Sequence, residues 1–324
     1  MNSKFLGAFC IIGFLGFASL GNAAEGAIES FEFSGPLYFG TIPKSAKCDS
    51  YFSKFSQKKI NYCYERSRPD LPAQKGEPVV YFFHSLTGDA KNWFKHGYSD
   101  YLAALRKKQT IPAMTFVTFD TETYSMFSDF GARGDGPRAY ESWFIKDFIP
   151  MMEEKLNVCR QRSCRALAGL SMGGFGAIKI GIKYWDMFFM AAGNSPALPP
   201  FSPWESLADW TSYFVQTSIG PILGIPLVLQ SRRIFPNESF AQHNDPAFLV
   251  EAFGDVSAIP YLYLDMGGRD EFGFYVGFKK LVELLNKRGV KYSGEYVQDG
   301  THDLFKTRGE QMLRIIADGV AGKL

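Results

Sequence analysis

Histidine is scarce in this chain, four among 324 residues, and cysteine nearly so, with five. No paired CxxC spacing accompanies them, so no zinc-type ligand set is legible. Bulk charge of one sign is also missing. The formal net charge is +2, with no basic run and no acidic tail, so a nucleic-acid-binding surface lacks its electrostatic footprint. The glycines never take the GxGxxG spacing of a dinucleotide-binding turn, and there are no internal repeats or low-complexity tracts. Neither a metal nor a nucleotide cofactor is implied.

Long hydrophobic runs are few, and the first opens the chain. Lys4 precedes an apolar stretch from Phe5 to Leu20, followed by the small residues Gly21, Ala23 and Ala24. That order describes a secretory signal peptide over residues 1–23, and the run is short of the roughly 18 residues of a membrane span. Bulky Phe9 before Cys10 argues against a lipoprotein site. The expectation is an exported chain, periplasmic or secreted, with no stable membrane span in the mature residues 24–324. Cys48, Cys63, Cys159 and Cys164 then remain as disulfide candidates. Four cysteines allow three connectivities, and the local pairs Cys48–Cys63 and Cys159–Cys164 are expected.

What is present is a core. Hydrophobic residues make up 46% and aromatics 16% of the sequence. The alternating aromatic stretches ESFEF and INYCY suit antiparallel strands. PVVYFFHS, AMTFVTFD, RALAGL, MFFMAAGNS, PYLYLDMG and YSGEYVQD read as six further strands, the first a continuous apolar run of the fully buried kind. Helices are expected at about 92–108, 137–156, 274–287 and 304–318, with Pro137 in a first turn and Pro150 kinking or restarting its helix. Alternating strands and helices imply an α/β fold, a mostly parallel sheet covered on both faces, whose loops after the strand C-termini share one edge. Residues 196–255 break the rhythm with prolines, tryptophans and the apolar run SIGPILGIPLVL, and predict an inserted lid.

Gly169-Leu170-Ser171-Met172-Gly173 fits G-x-S-x-G between a strand and a helix. So sharp a turn leaves no room for a Cβ two residues either side of the serine. Gly169 and Gly173 supply that room, and Gly174 and Gly176 are expected to let the helix approach the sheet. Ser171 would then stand in the open at the sheet edge. A serine needs a base. His243 lies in the insertion, whereas His302 follows the last strand and is the better candidate. The acid is expected on the loop after the preceding strand, where LYLDMGGRDEF offers Asp265, Asp270 and Glu271. Asp270, beyond two glycines, is preferred; the other two are expected to be structural or salt-bridging. One oxyanion donor should be the Met172 amide, the other an amide of the FFHSLTGD loop, with His84 orienting that loop.

With those residues in place, the chain resembles the putative-esterase (esterase D-like) family of α/β hydrolases. That family includes S-formylglutathione hydrolases, feruloyl esterases and antigen 85 mycolyltransferases. The resemblance rests on FFHSLTGD, GLSMGGFGA, LDMGGRDEF and DGTHDL, with YESWFIKDFIP as the helix before the elbow strand. It implies the α/β-hydrolase fold, a triad of Ser171, Asp270 and His302, and oxyanion amides at Leu86 and Met172. Ser85 stands where the family usually has glycine. The leading functional expectation is a serine carboxylic ester hydrolase acting on a small-molecule, lipid or polysaccharide ester. The alternatives are an acyltransferase moving the acyl group to an alcohol or sugar, and a non-catalytic cell-envelope binding protein that kept the scaffold.

Overall fold

The structure, a computed structural model, describes residues 41–130 and 138–324. The signal peptide over 1–23, the ESFEF strand and Pro137 lie outside the described residues. Eight strands form one sheet: β1 (Lys47–Ser53), β2 (Lys58–Arg66), β3 (Val79–Phe83), β4 (Thr115–Phe119), β5 (Arg165–Leu170), β6 (Met190–Asn194), β7 (Tyr261–Gly267) and β8 (Tyr292–Val297), in the order β1-β2-β4-β3-β5-β6-β7-β8. β1 and β2 pair antiparallel, as do β2 and β4, and every other pairing is parallel. This is the α/β-hydrolase arrangement.

The apolar run of β3 explains why the sheet is covered on both sides. Its side chains alternate across the pleat. Val79, Tyr81 and Phe83 join one core with Val117, Phe119, Phe144, Phe148, Leu167 and Ile178. Val80 and Phe82 join the other with Phe116, Ala166, Ala168, Leu102 and Met312. All five residues of β3 are buried.

The helices follow the sequence reading with instructive departures. The first stretch splits into α1 (Asn92–Lys95) and α2 (Tyr98–Lys107), because Gly97 sits at φ 76°, outside helical space. The next runs from α3 (Tyr140–Trp143) through a π-helical turn (Phe144–Phe148) into α4 (Ile149–Leu156). Pro150 lies in the first turn of α4. It has no N–H to give Lys146 and its ring crowds that carbonyl, so the ladder widens just before it. Then come α5 (Met172–Lys183), α6 (Leu207–Phe214), α7 (Gly220–Ile234), α8 (Glu238–Gln242), α9 (Pro246–Ala252), α10 (Tyr275–Arg288) and α11 (Phe305–Val320). The region 196–255 is thus helical, and Trp210, Phe214 and Val228 give it a small apolar core of its own.

Cys48 and Cys63 face each other across β1 and β2 and are joined, as are Cys159 and Cys164. Among the described residues, no helix is long and apolar enough to cross a membrane.

Candidate active site

Ser171 occupies the turn between β5 and α5 with φ 55° and ψ −116°, a conformation costly for a residue with a side chain. Neighbours hold it there. Its N–H donates to the Asn194 carbonyl at 3.0 Å, and its own carbonyl accepts from Phe175 N and Ala197 N, both at 3.0 Å. A Cβ on Gly169 would overlap the Gly173 carbonyl, and one on Gly173 would overlap the carbonyl of Phe83 at the end of β3. A Cβ on Gly174 would come to 3.1 Å from Pro196 Cα and 3.2 Å from Gly193 Cα, so that glycine does bring the helix onto β6. Gly176 does something else: its missing Cβ makes room, at 2.6 Å, for the ring of Phe127, in the loop after β4. Ser171 itself is not open, retaining 8% of its exposure.

His302 and Asp270 meet this serine from two other loops. His302 Nε2 is 2.9 Å from Ser171 Oγ, and His302 Nδ1 is 2.5 Å from Asp270 Oδ2. The other carboxylate oxygen, Oδ1, accepts from the backbone N–H groups of Phe272 at 3.0 Å and Phe274 at 3.1 Å. Both oxygens of the acid are therefore aimed. Burial pulls the His302 imidazolium down, but the carboxylate of Asp270, with Glu271 and Asp303 behind it, outweighs burial and holds the pKa above its ordinary value. The rings of Phe272 and Phe274 lie parallel, 5.3 Å apart, with centroids 4.8 and 5.8 Å from the imidazole. That apolar collar has no signal in the spacing of the acid loop beyond the proximity of its residues.

The alternatives have other partners. Asp265 is fully buried at the end of β7, where it accepts from Asn194 Nδ2 at 2.6 Å, Ser195 N at 3.0 Å and Tyr263 OH at 2.9 Å, and burial raises its pKa to about 6. Glu271 accepts the backbone N–H of His302 at 2.8 Å and so ties the histidine loop to the acid loop. His243 is exposed, with Nδ1 2.7 Å from the Ser239 carbonyl on its own helix.

The loop after β3 is pinned at nearly every amide. His84 Nε2 accepts from Thr121 N at 3.1 Å, so in the neutral ring the proton sits on Nδ1 and donates to the Ser85 carbonyl at 2.8 Å. Burial keeps that imidazole's pKa below its ordinary value. Ser85 N donates to Asn92 Oδ1 at 3.0 Å, Thr87 N to the Thr123 carbonyl at 3.3 Å and Gly88 N to the Ser85 carbonyl at 2.9 Å. Among the described residues the Leu86 N–H has no acceptor, and neither has Met172 N–H, the first amide of α5. Ser85 keeps an ordinary negative φ, so glycine is not required there; Thr87, at φ 58°, carries the turn.

The helical region 196–255 reaches both sides of this site. Tyr213 OH donates to the Gly273 carbonyl at 2.5 Å, and Ile219 N to the Glu271 carbonyl at 3.2 Å, both on the acid loop. Twelve residues further along, Ser231 Oγ lies 2.7 Å from the hydroxyl of Tyr124, on the loop after β4. These contacts join residues far apart in sequence, and sequence reading did not find them. Among the described residues, no group of three or more His, Cys, Asp or Glu side chains is placed to hold a metal ion.

A sharp serine elbow at the C-terminal edge of a mostly parallel, doubly covered sheet defines an α/β hydrolase. More narrowly, the chain belongs to the family described as Putative esterase, whose model matches residues 66–308. An esterase of Mycobacterium tuberculosis is 27% identical over 195 residues, covering 58% of this chain and 41% of that protein. The chain thus spans less than half the length of the curated relatives it matches. Among solved structures, a ferulic acid esterase superposes with TM-score 0.64 at 22% identity, covering 85% of this chain and 98% of its own. An S-formylglutathione hydrolase from Agrobacterium tumefaciens gives 0.63 at 16%, covering 85% and 95%. A fluorophosphonate-binding serine hydrolase of Staphylococcus aureus gives 0.61 at 17%, covering 85% and 98%.

Proposed function

We propose that this chain is a serine carboxylic ester hydrolase working through an acyl-serine on Ser171. The observation that carries the reading is the continuous line Asp270–His302–Ser171, with both carboxylate oxygens and both imidazole nitrogens engaged. In this reading Ser171 Oγ attacks the ester carbonyl and its proton passes to His302 Nε2. The tetrahedral oxyanion is received by the amides of Leu86 and Met172. His302 then returns the proton to the leaving alcohol, and water repeats the sequence to free the acid. Asp270 holds Nδ1 protonated and stabilises the imidazolium.

The apolar collar of Phe272 and Phe274 and the insertion joined to the acid loop favour an ester with an apolar acyl or aryl group, as the named ferulic acid esterase neighbour handles. The segment 1–23 and the two cystine pairs support export before action. Initial rates on p-nitrophenyl esters from acetyl to palmitoyl, with methyl ferulate alongside, test the reading. Turnover lost in Ser171→Ala supports it, and turnover retained there overturns it. Near-complete burial of Ser171 also favours acyl transfer as a second reading, since a site poor in water lets an alcohol intercept the acyl-enzyme. Products of hydrolysis alone at every acceptor concentration would exclude transfer. A protein inert to both esters and fluorophosphonates would instead be a binding protein on this scaffold.

A further inference from the structure

One buried cation is left unused by this chemistry. Lys179 lies two turns into α5 with its side chain fully buried. Its ammonium donates to Phe127 O at 2.7 Å, Ser128 Oγ at 2.6 Å and, less closely, Met126 O at 3.3 Å, and pairs with Glu141 at 3.0 Å. Burying an ammonium is costly unless acceptors converge on it. Here two of those acceptors come from Met126 and Phe127, consecutive non-glycine residues both at φ 48°. Left-handed conformations in such residues persist only where their surroundings fix them. Glu141 is shared between two lysines: Lys183 at 2.5 Å and Tyr184 OH at 3.1 Å engage its Oε1, and Lys179 faces its Oε2. Beyond facing that carboxylate, Lys179 gives its hydrogen bonds to three acceptors of the turn.

The strained turn leads directly to the loop after β3. Phe127 stacks on Phe83 with centroids 4.6 Å apart and meets the His84 ring at 5.1 Å. Its N–H donates to Ser125 Oγ at 3.2 Å, that hydroxyl lies 2.9 Å from Thr121 Oγ1, and Thr121 Oγ1 lies 2.7 Å from His84 Nε2. His84 in turn holds the Ser85 carbonyl, the other end of the peptide group that carries the Leu86 N–H.

We infer that Lys179 is a positioning residue for the Leu86 amide: it locks the Ser125–Ser128 turn, and that turn sets His84 and the loop behind it. The inference rests on the proposed oxyanion role of Leu86. It makes α5 responsible for both halves of the site, the serine at its N-terminus and the oxyanion donor through its buried lysine.

The test uses the full chain with Lys179→Met and with the double variant Lys179→Met/Glu141→Gln, which removes the buried charge left behind. Each is measured for kcat and KM on p-nitrophenyl acetate, for affinity toward a trifluoromethyl ketone mimicking the tetrahedral intermediate, and for thermal midpoint. Misplacing an oxyanion donor predicts a fall in kcat of about 10²-fold with KM nearly unchanged, and an equal loss of ketone affinity. The double variant should regain thermal stability but not kcat. Recovery of kcat together with the thermal midpoint would assign Lys179 to stability alone and overturn the inference. If Lys179→Met does not fold, Thr121→Val cuts the same chain beside His84. It should lower kcat and ketone affinity together, and unchanged values would overturn the inference equally. A wild-type protein that binds no ketone, with turnover retained in Ser171→Ala, would instead defeat the serine esterase reading itself.

Discussion

Replacing Asp270 by asparagine separates geometry from charge in this site. The two backbone donors, Phe272 N and Phe274 N, both point at one oxygen of the acid, while the other faces His302 Nδ1. Asparagine has one oxygen. Turning its NH2 toward the two amides would set donor against donor at a buried and a part-buried N–H, at about 1–3 kcal/mol for the buried one. The oxygen therefore stays with the amides and the NH2 faces His302. Nδ1 must then accept, so the proton moves to Nε2 and points at Ser171 Oγ. The histidine keeps its place and loses its lone pair toward Ser171, the proposed nucleophile. A triad histidine in that tautomer loses about 10⁴-fold in kcat, or about 5.4 kcal/mol of barrier at 1.36 kcal/mol per decade. Steady-state rates on p-nitrophenyl acetate near pH 7.5, with a melting curve to show the variant is folded, provide the assay. The loss should appear in kcat with KM nearly unchanged. A folded Asp270→Asn protein within tenfold of wild type would refute the reasoning.

Other consequences follow from the same contacts. Because His302 is held above its ordinary 6.5, kcat/KM should rise with pH through a midpoint above 6.5. Glu271→Gln, which keeps an acceptor for His302 N, should lower that midpoint, and an unmoved midpoint counts against the electrostatic account. The sign for stability is opposite. The raised pKa contributes folding stability that is complete below the unfolded value and is lost as pH rises through the folded one, which pH-dependent melting would register. Gly173→Ala places a Cβ onto the Phe83 carbonyl, so it should cost about 3 kcal/mol, the upper part of the usual overpacking range, and most of the activity. Denaturant unfolding and ester rates check both. Reducing Cys48–Cys63, which closes a loop of sequence separation 15, should remove about 3 kcal/mol of stability, seen as a lower thermal midpoint in reductant.

The parts of this site legible in the sequence are those where one residue type answers a steric demand. Gly169 and Gly173 mark the elbow because no side chain fits there, and the buried run of β3 marks the sheet centre because both its faces are covered. Asp270 stood apart from Asp265 by position: one lies past the strand on the following loop, the other within β7, where Asn194, Ser195 and Tyr263 consume its oxygens. What the sequence concealed are contacts whose partners lie far apart along the chain. Tyr213 on Gly273 and Tyr124 on Ser231 join segments separated by more than fifty residues, and no local pattern records them. Lys179 was hidden for a related reason. A lysine in a helix reads as solvated surface, and only the fold of the loop after β4 turns it into a buried anchor. The π-helical turn before Pro150 illustrates the intermediate case, where the residue announced a disturbance but not its form.

The central claim is that Ser171 is a nucleophile made reactive by His302. Intact-mass and peptide mass spectrometry after exposure to a fluorophosphonate tests it most directly. The account predicts one adduct per chain, on the peptide carrying Ser171, absent in Ser171→Ala and formed far more slowly in His302→Ala. A folded wild-type chain that takes no label, or a Ser171→Ala chain labelled as fully as wild type, would contradict it.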